Sequence, residues 1–148
     1  MDYYRNILIT GCSSGLGQAL FNRVWEDDTL TPFAHYRSEH GDPHALIGDI
    51  TDPDFPEKLD NHIRKYKIDC FINNAGVYEG DIIDTNLASQ IRILQVVYKY
   101  FLERERGRII NINSVAGLYP SANESIYCAS KFGLKGFSKS IQLEAVGT

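Results

Sequence analysis

Tyr127 and Lys131, in the run Tyr127-Cys128-Ala129-Ser130-Lys131, are spaced so that a helix would place them on one face. A neighbouring ammonium favours phenolate over phenol. A phenol poised in this way can give a proton to, or take one from, a carbonyl or alcohol oxygen. Ser114, closing an apolar β-type run, offers a hydroxyl to the same oxygen as charge develops on it. A second constellation is Ile7-Leu8-Ile9-Thr10-Gly11-Cys12-Ser13-Ser14-Gly15-Leu16-Gly17. It reads as a buried strand, a tight glycine turn and the start of a helix. Gly11 can take backbone angles closed to other residues. Gly15 lets a pyrophosphate approach the backbone, and Gly17 lets the helix pack on the strand. Free N–H groups and the helix dipole would face the anion, with Ser13 and Ser14 adding hydroxyl donors. The spacing is G-x-x-x-G-x-G, not the better-known G-x-G-x-x-G. Taken singly, the glycines also fit an ordinary turn, and the Tyr–Lys pair a solvated helix face.

The elements that must position these groups alternate. After the glycine turn, Leu16, Ala19, Leu20 and Val24 recur at helical spacing. Pro32–Tyr36 reads as a second strand ending in Arg37-Ser38. His44–Gly48 reads as a third, ending in Asp49-Ile50. The turn between them is too short for a helix, and shorter than the dozen residues a parallel crossover normally takes. Pro53 opens a helix through about Tyr66, with Phe55, Leu59, His62, Ile63 and Tyr66 on one stripe. Ile68–Ile72 is a fourth strand running into Asn73-Asn74-Ala75-Gly76. A long helix covers Asp84–Glu103, with Leu87, Ile91, Leu94, Val97, Tyr98 and Phe101 as its stripe. Arg108–Asn113 is a fifth strand, and the last helix runs from about Ile126 to Val146. This alternation implies right-handed crossovers and an α/β, doubly wound, Rossmann-like parallel sheet of about five strands, with helices on both faces and strand order 3-2-1-4-5. Ligands of such folds bind beyond the carboxyl ends of the strands. Here every one of those ends is polar or glycine-rich.

The bulk properties suit one domain over residues 1–148, with 43% hydrophobic and 23% charged residues. A net charge of −4 argues against nucleic acid or an acidic membrane surface as partner. No apolar run of about 18 residues is present, so no membrane span is expected. Met1-Asp2-Tyr3-Tyr4-Arg5 leads straight into a strand, so no signal peptide is expected. The three scattered cysteines, Cys12, Cys70 and Cys128, read as reduced thiols, and a cytoplasmic location is expected. Cys12 beside the helix start could be acidified, but a small filler role fits it better. His35, His40 and His44 with Asp42 do not make a metal site, because Gly41 and Pro43 exclude a helical ligand pair.

With these motifs in place, the chain resembles the short-chain dehydrogenases/reductases over essentially all of its length. Thr10-Gly11-Cys12-Ser13-Ser14-Gly15-Leu16-Gly17 matches the family's T-G-x-x-x-G-x-G, and Asn73-Asn74-Ala75-Gly76 its N-N-A-G. Asn86 falls at the family's helix asparagine, and Ser114 with Tyr127-x-x-x-Lys131 at its catalytic set. The resemblance implies hydride transfer between a nicotinamide cofactor and a small carbonyl or alcohol substrate. Tyr127 would be the acid or base. Lys131 would ease loss of the phenolic proton and hold the nicotinamide ribose. Ser114 would polarise the carbonyl, and Asn86 would support a water linking Lys131 to solvent. Thr10, Gly11, Ser13, Ser14, Gly15, Leu16 and Gly17 would hold the phosphates. Asp49 and Ile50 would meet the adenine, and Asn73, Ala75 and Gly76 would line the cofactor. Arg37 and Ser38, with no acid at the end of the second strand, favour NADP over NAD, because a 2′-phosphate calls for arginine. The family's later strands and substrate loops are missing, which leaves the fifth strand at the sheet edge. The alternative is a nucleotide-binding module without turnover. The resemblance also implies a homodimer or homotetramer through the Asp84–Glu103 and Ile126–Val146 helices, with Phe132, Gly133, Gly136 and Phe137 permitting close packing.

Overall fold

The computed structural model describes residues 5–146. The expectations for Met1–Tyr4 and for Gly147-Thr148 lie outside them. Five strands, β1 (Asn6–Ile9), β2 (Thr31–Tyr36), β3 (Leu46–Ile47), β4 (Cys70–Asn73) and β5 (Arg108–Asn111), form one parallel sheet in the order β3-β2-β1-β4-β5. This is the expected order. The helices are α1 (Gly15–Trp25), α2 (Phe55–Lys65), α3 (Ser89–Glu103) and α4 (Ser125–Val146).

Strand alternation divides the core. Leu8, Phe33 and Phe71 point to one face, where they join Leu59 and Ile63 of α2, Ile93, Leu94 and Val97 of α3, and Leu134 of α4. Ile7, Ile9, Ala34, Tyr36, Cys70 and Ile72 point to the other, where Leu20, Phe21 and Val24 of α1 cover them. Residues 37–45 connect β2 to β3 without a helix, yet the two strands still pair in parallel. The usual crossover helix is therefore not added to α1's face.

Four local readings are corrected. In α1, Leu16 is exposed and Ala19 also faces out. Gly17 has to face inward, and this sets the rotation that brings Leu20, Phe21 and Val24 onto the sheet. The long helix begins as a π-helical turn, Asp84–Ala88. The extra residue in that turn rotates the remainder of the helix, so Gln90, Ile93 and Tyr100 are buried in place of the expected Ile91 and Tyr98. The third strand shrinks to two residues. β5 is not buried on both sides: Ile110 is 39% exposed, because α1's cover does not reach the sheet edge. Beside that edge runs a groove of about 1110 Å³ between Phe101 and Tyr98 of α3 and Ser138 and Ile141 of α4.

The stripe of α2 is as expected, but it carries a buried histidine. The Nε2 atom of His62 has no hydrogen-bond partner, and burial, aided by Lys65, holds its pKa down at about 4. The unfolded chain therefore takes up this proton first. The stability contributed is complete above the unfolded value of 6.5 and is lost as pH falls toward 4. We expect urea-unfolding free energies to drop between pH 6.5 and 4 by at most about 1.4 kcal/mol per pH unit for this ring. His62→Phe should flatten that slope.

Candidate active site

The glycine turn and the β4 end are tied together before either meets a ligand. Thr10 is fully buried, and its Oγ1 accepts the backbone N–H groups of Asn74 (2.9 Å) and Ala75 (3.0 Å). Asn74 Nδ2 donates to the Thr10 carbonyl at 2.9 Å. Thr10 is thus a brace whose hydroxyl oxygen is already committed, and Asn74, which belongs to the N-N-A-G motif but is given no role of its own by it, shares its work. Gly11 adopts φ +73° and a Cβ there would stand 3.0 Å from Ala75 Cα, so both conformation and space require glycine. Gly15 has open space around it. The α1 N-terminus has neither a side-chain cap bond from Ser14 nor an acid in its first turn. Its N–H groups and the exposed Ser13 and Ser14 are therefore left for an anion.

The second half of the site gathers at Gly76. Asn86, buried in the π-helical turn, accepts the Val77 N–H at 2.8 Å and donates to the Val77 carbonyl at 2.6 Å. A Cβ on Gly76 would lie 3.1 Å from Asn86 Oδ1 and 3.7 Å from Lys131 Nζ. One backbone position thus brings β4's end, Asn86 and α4 together. Lys131 is buried, which pushes its pKa down, and its Nζ stands 5.6 Å from the Tyr127 ring centre. The Ser114 end is fixed by Asn113, another residue the motifs do not flag. Its Nδ2 donates to the Lys131 carbonyl at 3.1 Å, and its Oδ1 accepts the Ser114 N–H at 2.9 Å. Gln90 Nε2 likewise holds the Ala75 carbonyl at 2.8 Å. Tyr78 is a further residue that no motif marks. Its ring meets that of Tyr127 edge-on at 5.0 Å, and its hydroxyl donates to Glu124.

Other expected ligand contacts are placed differently from one another. Arg37 and Ser38 are exposed at the end of β2. The Asp49 carboxylate accepts the Thr51 N–H and hydroxyl, which hold its pKa below the usual range. The Ile50 side chain lies in the core, and Asn73 donates to Asn111 within the sheet. Cys12 is core filler: burial raises its pKa to about 11, and its Sγ donates to the Ile9 carbonyl. Among the described residues no group of three or more His, Cys, Asp or Glu is gathered as a metal site would need. Nor is any helix long and apolar enough to cross a membrane.

Residues 5–148 match the family model for short chain dehydrogenases. The chain belongs to this family. It is 31% identical over 162 residues to the 3-oxoacyl-(acyl-carrier-protein) reductase FabG of Salmonella typhimurium, covering 93% of this chain and 66% of that protein. It is 28% identical to the corresponding MabA of Mycobacterium avium, covering 95% of this chain and 61% of the other. Among solved structures it matches a variant of actinorhodin polyketide ketoreductase with NADPH, at a TM-score of 0.84 and 28% identity over 95% of this chain and 65% of the other. This short chain dehydrogenase therefore spans about two thirds or less of the length of these relatives.

Proposed function

We propose that the chain is the nucleotide-binding and proton-transfer portion of an NADP(H)-dependent carbonyl reductase. The observation that carries this reading is the meeting of Gly76, Asn86 and Lys131, with Tyr127 beside Lys131, next to a glycine turn braced to the same strand end. A bound nicotinamide would supply the hydride. Tyr127 would give its proton to the carbonyl oxygen of the substrate, and Ser114 would hydrogen-bond that oxygen as it becomes an alkoxide. Lys131, already partly desolvated, would hold the ribose. The uncapped α1 N-terminus, with Ser13 and Ser14, would bind the diphosphate, and Arg37 with Ser38 the 2′-phosphate. The relatives are named as reductases of 3-oxoacyl-(acyl-carrier-protein) and of a polyketide, so a 3-ketoacyl thioester is the first compound to try. We further read the exposed Phe132 and Gly136 of α4 as a self-association face. Gly133 is not part of it, because it packs inside the chain against Leu87.

The test is loss of NADPH absorbance with 3-ketoacyl thioesters and small ketones. Turnover supports the reading. Binding of NADPH by folded protein with no oxidation of any substrate would mean a nucleotide-binding module. For cofactor choice, Arg37→Glu should weaken NADPH about tenfold or more while leaving NADH within about twofold, as loss of a charge-assisted phosphate contact requires. Equal losses for both nucleotides would overturn the assignment of Arg37.

A further inference from the structure

We infer that His35, in its neutral Nε2–H form, is a positioning residue that sets the phosphate-binding turn and makes nucleotide binding sensitive to acid. This rests on the nucleotide-binding reading above. His35 lies on β2, inside the fold and 3% exposed, too deep to touch a ligand. Its Nδ1 stands 3.1 Å from the backbone nitrogen of Gly11, and its Nε2 2.9 Å from the Gly48 carbonyl oxygen. These partners assign the tautomer. The Gly11 N–H can only donate, so Nδ1 must be a lone pair. The Gly48 oxygen can only accept, so Nε2 must carry the hydrogen. The backbone carbonyl of the same residue accepts the Cys12 N–H at 3.0 Å. One β2 residue therefore fixes two successive amides of the glycine turn and ties them to the end of β3.

A proton added to His35 has only Nδ1 to occupy, where it meets the Gly11 N–H head-on. Gly11 is already confined, at φ +73° and against Ala75, so it cannot turn aside without moving the turn. The groups around the ring are few. Phe55 of α2 packs edge-on at 5.1 Å. Asp49 beyond β3 favours the charged ring, and His35 in turn disfavours charge on His62 of α2. The Cys12 thiol stays neutral. Burial outweighs Asp49 and keeps the ring neutral at ordinary pH.

Asparagine and glutamine separate the two bonds. In His35→Asn the new carboxamide oxygen can stand where Nδ1 stands, whereas the longer amide of His35→Gln reaches only toward the Gly48 carbonyl. NADPH affinity should be measured by fluorescence titration over a range of about pH 8 to 5.5 for the wild type, His35→Asn and His35→Gln. We expect the wild type to weaken toward the acid end, most steeply below about pH 6.5, by less than about tenfold, because burial holds the ring's pKa below its ordinary 6.5. His35→Asn should bind within about threefold of wild type at about pH 8, with a flatter profile. His35→Gln should be about tenfold weaker at every pH. Wild-type affinity in His35→Gln, or the full wild-type acid profile in His35→Asn, overturns the inference. Nitrogen-15 NMR of the wild-type ring needs no variant, and an Nδ1–H tautomer at the alkaline end overturns it as well. If the wild type itself binds no nucleotide there, the functional reading falls and the positioning role falls with it. Binding by the wild type with an indifferent His35→Gln overturns the positioning role alone.

Discussion

Replacing Tyr127 by phenylalanine should reduce carbonyl turnover by about a hundredfold to ten-thousandfold, the range that a positioned acid contributes. NADPH affinity should stay within about twofold. The selectivity of the loss stems from the surroundings. The ring keeps its edge-on contact with Tyr78 and its place under Lys131 Nζ in the variant. The hydroxyl has no hydrogen-bond partner among the described residues, so the fold loses little when it goes. Unfolding free energies of the two proteins should therefore agree within about 0.5 kcal/mol. Stopped-flow measurement of NADPH oxidation, with nucleotide affinity determined separately, checks both halves. Full activity in the variant would remove Tyr127 from the chemistry. A loss accompanied by weaker NADPH binding would instead mean that the ring shapes the nucleotide site.

The second large effect is expected at Gly17. A Cβ there would fall 2.0 Å from the Gly11 carbonyl oxygen, 2.8 Å from its carbon and 2.6 Å from Asn74 Nδ2. The oxygen and carbon are backbone atoms of the phosphate turn, and Asn74 is held by the Thr10 brace. None of them is the loose end of a flexible side chain. Gly17→Ala must push α1 off the sheet, and we expect a loss of about 3 kcal/mol or more together with loss of NADPH binding. Gly15→Ala is the contrast. Nothing lies within 4 Å of its Cβ, and only the φ of +56° opposes the change, at about 1–2 kcal/mol. Urea unfolding of the two variants should rank them in that order. The reverse ranking would mean that the turn is limited by conformation and not by contact.

These two sites also show what the residue pattern could and could not convey. Gly11, Gly15 and Gly17 announce a turn because few other local structures need three glycines at that spacing. The strand order emerges once each apolar run is recognised as a sheet strand. The Tyr127–Lys131 pairing comes from helix geometry alone. The rotation of α3 was not legible. A one-residue π insertion at Asp84–Ala88 changes which residues face inward without changing the apolar composition. The direction of side chains at strand ends was also hidden. Thr10, Asn73 and Ile50 sit at ligand-facing ends but turn into the protein, Thr10 to brace Asn74 and Ala75, Asn73 to bond Asn111 and Ile50 to join the core. Asn113, Gln90 and His35 act through contacts with residues 15 or more positions away. No local period encodes such contacts.

The unequal covering of the sheet has a bearing on motion. One helix, α1, shields one side, whereas three helices, α2, α3 and α4, shield the other. Segments held by the fewest buried contacts open at the smallest free-energy cost. On that side amide exchange should therefore start in α1, before the central strand β1 beneath it. The start of that same helix is where the diphosphate would rest, so an occupied turn would latch the weakest wall of the molecule. Protection factors there would report nucleotide occupancy more sensitively than any other stretch of the chain.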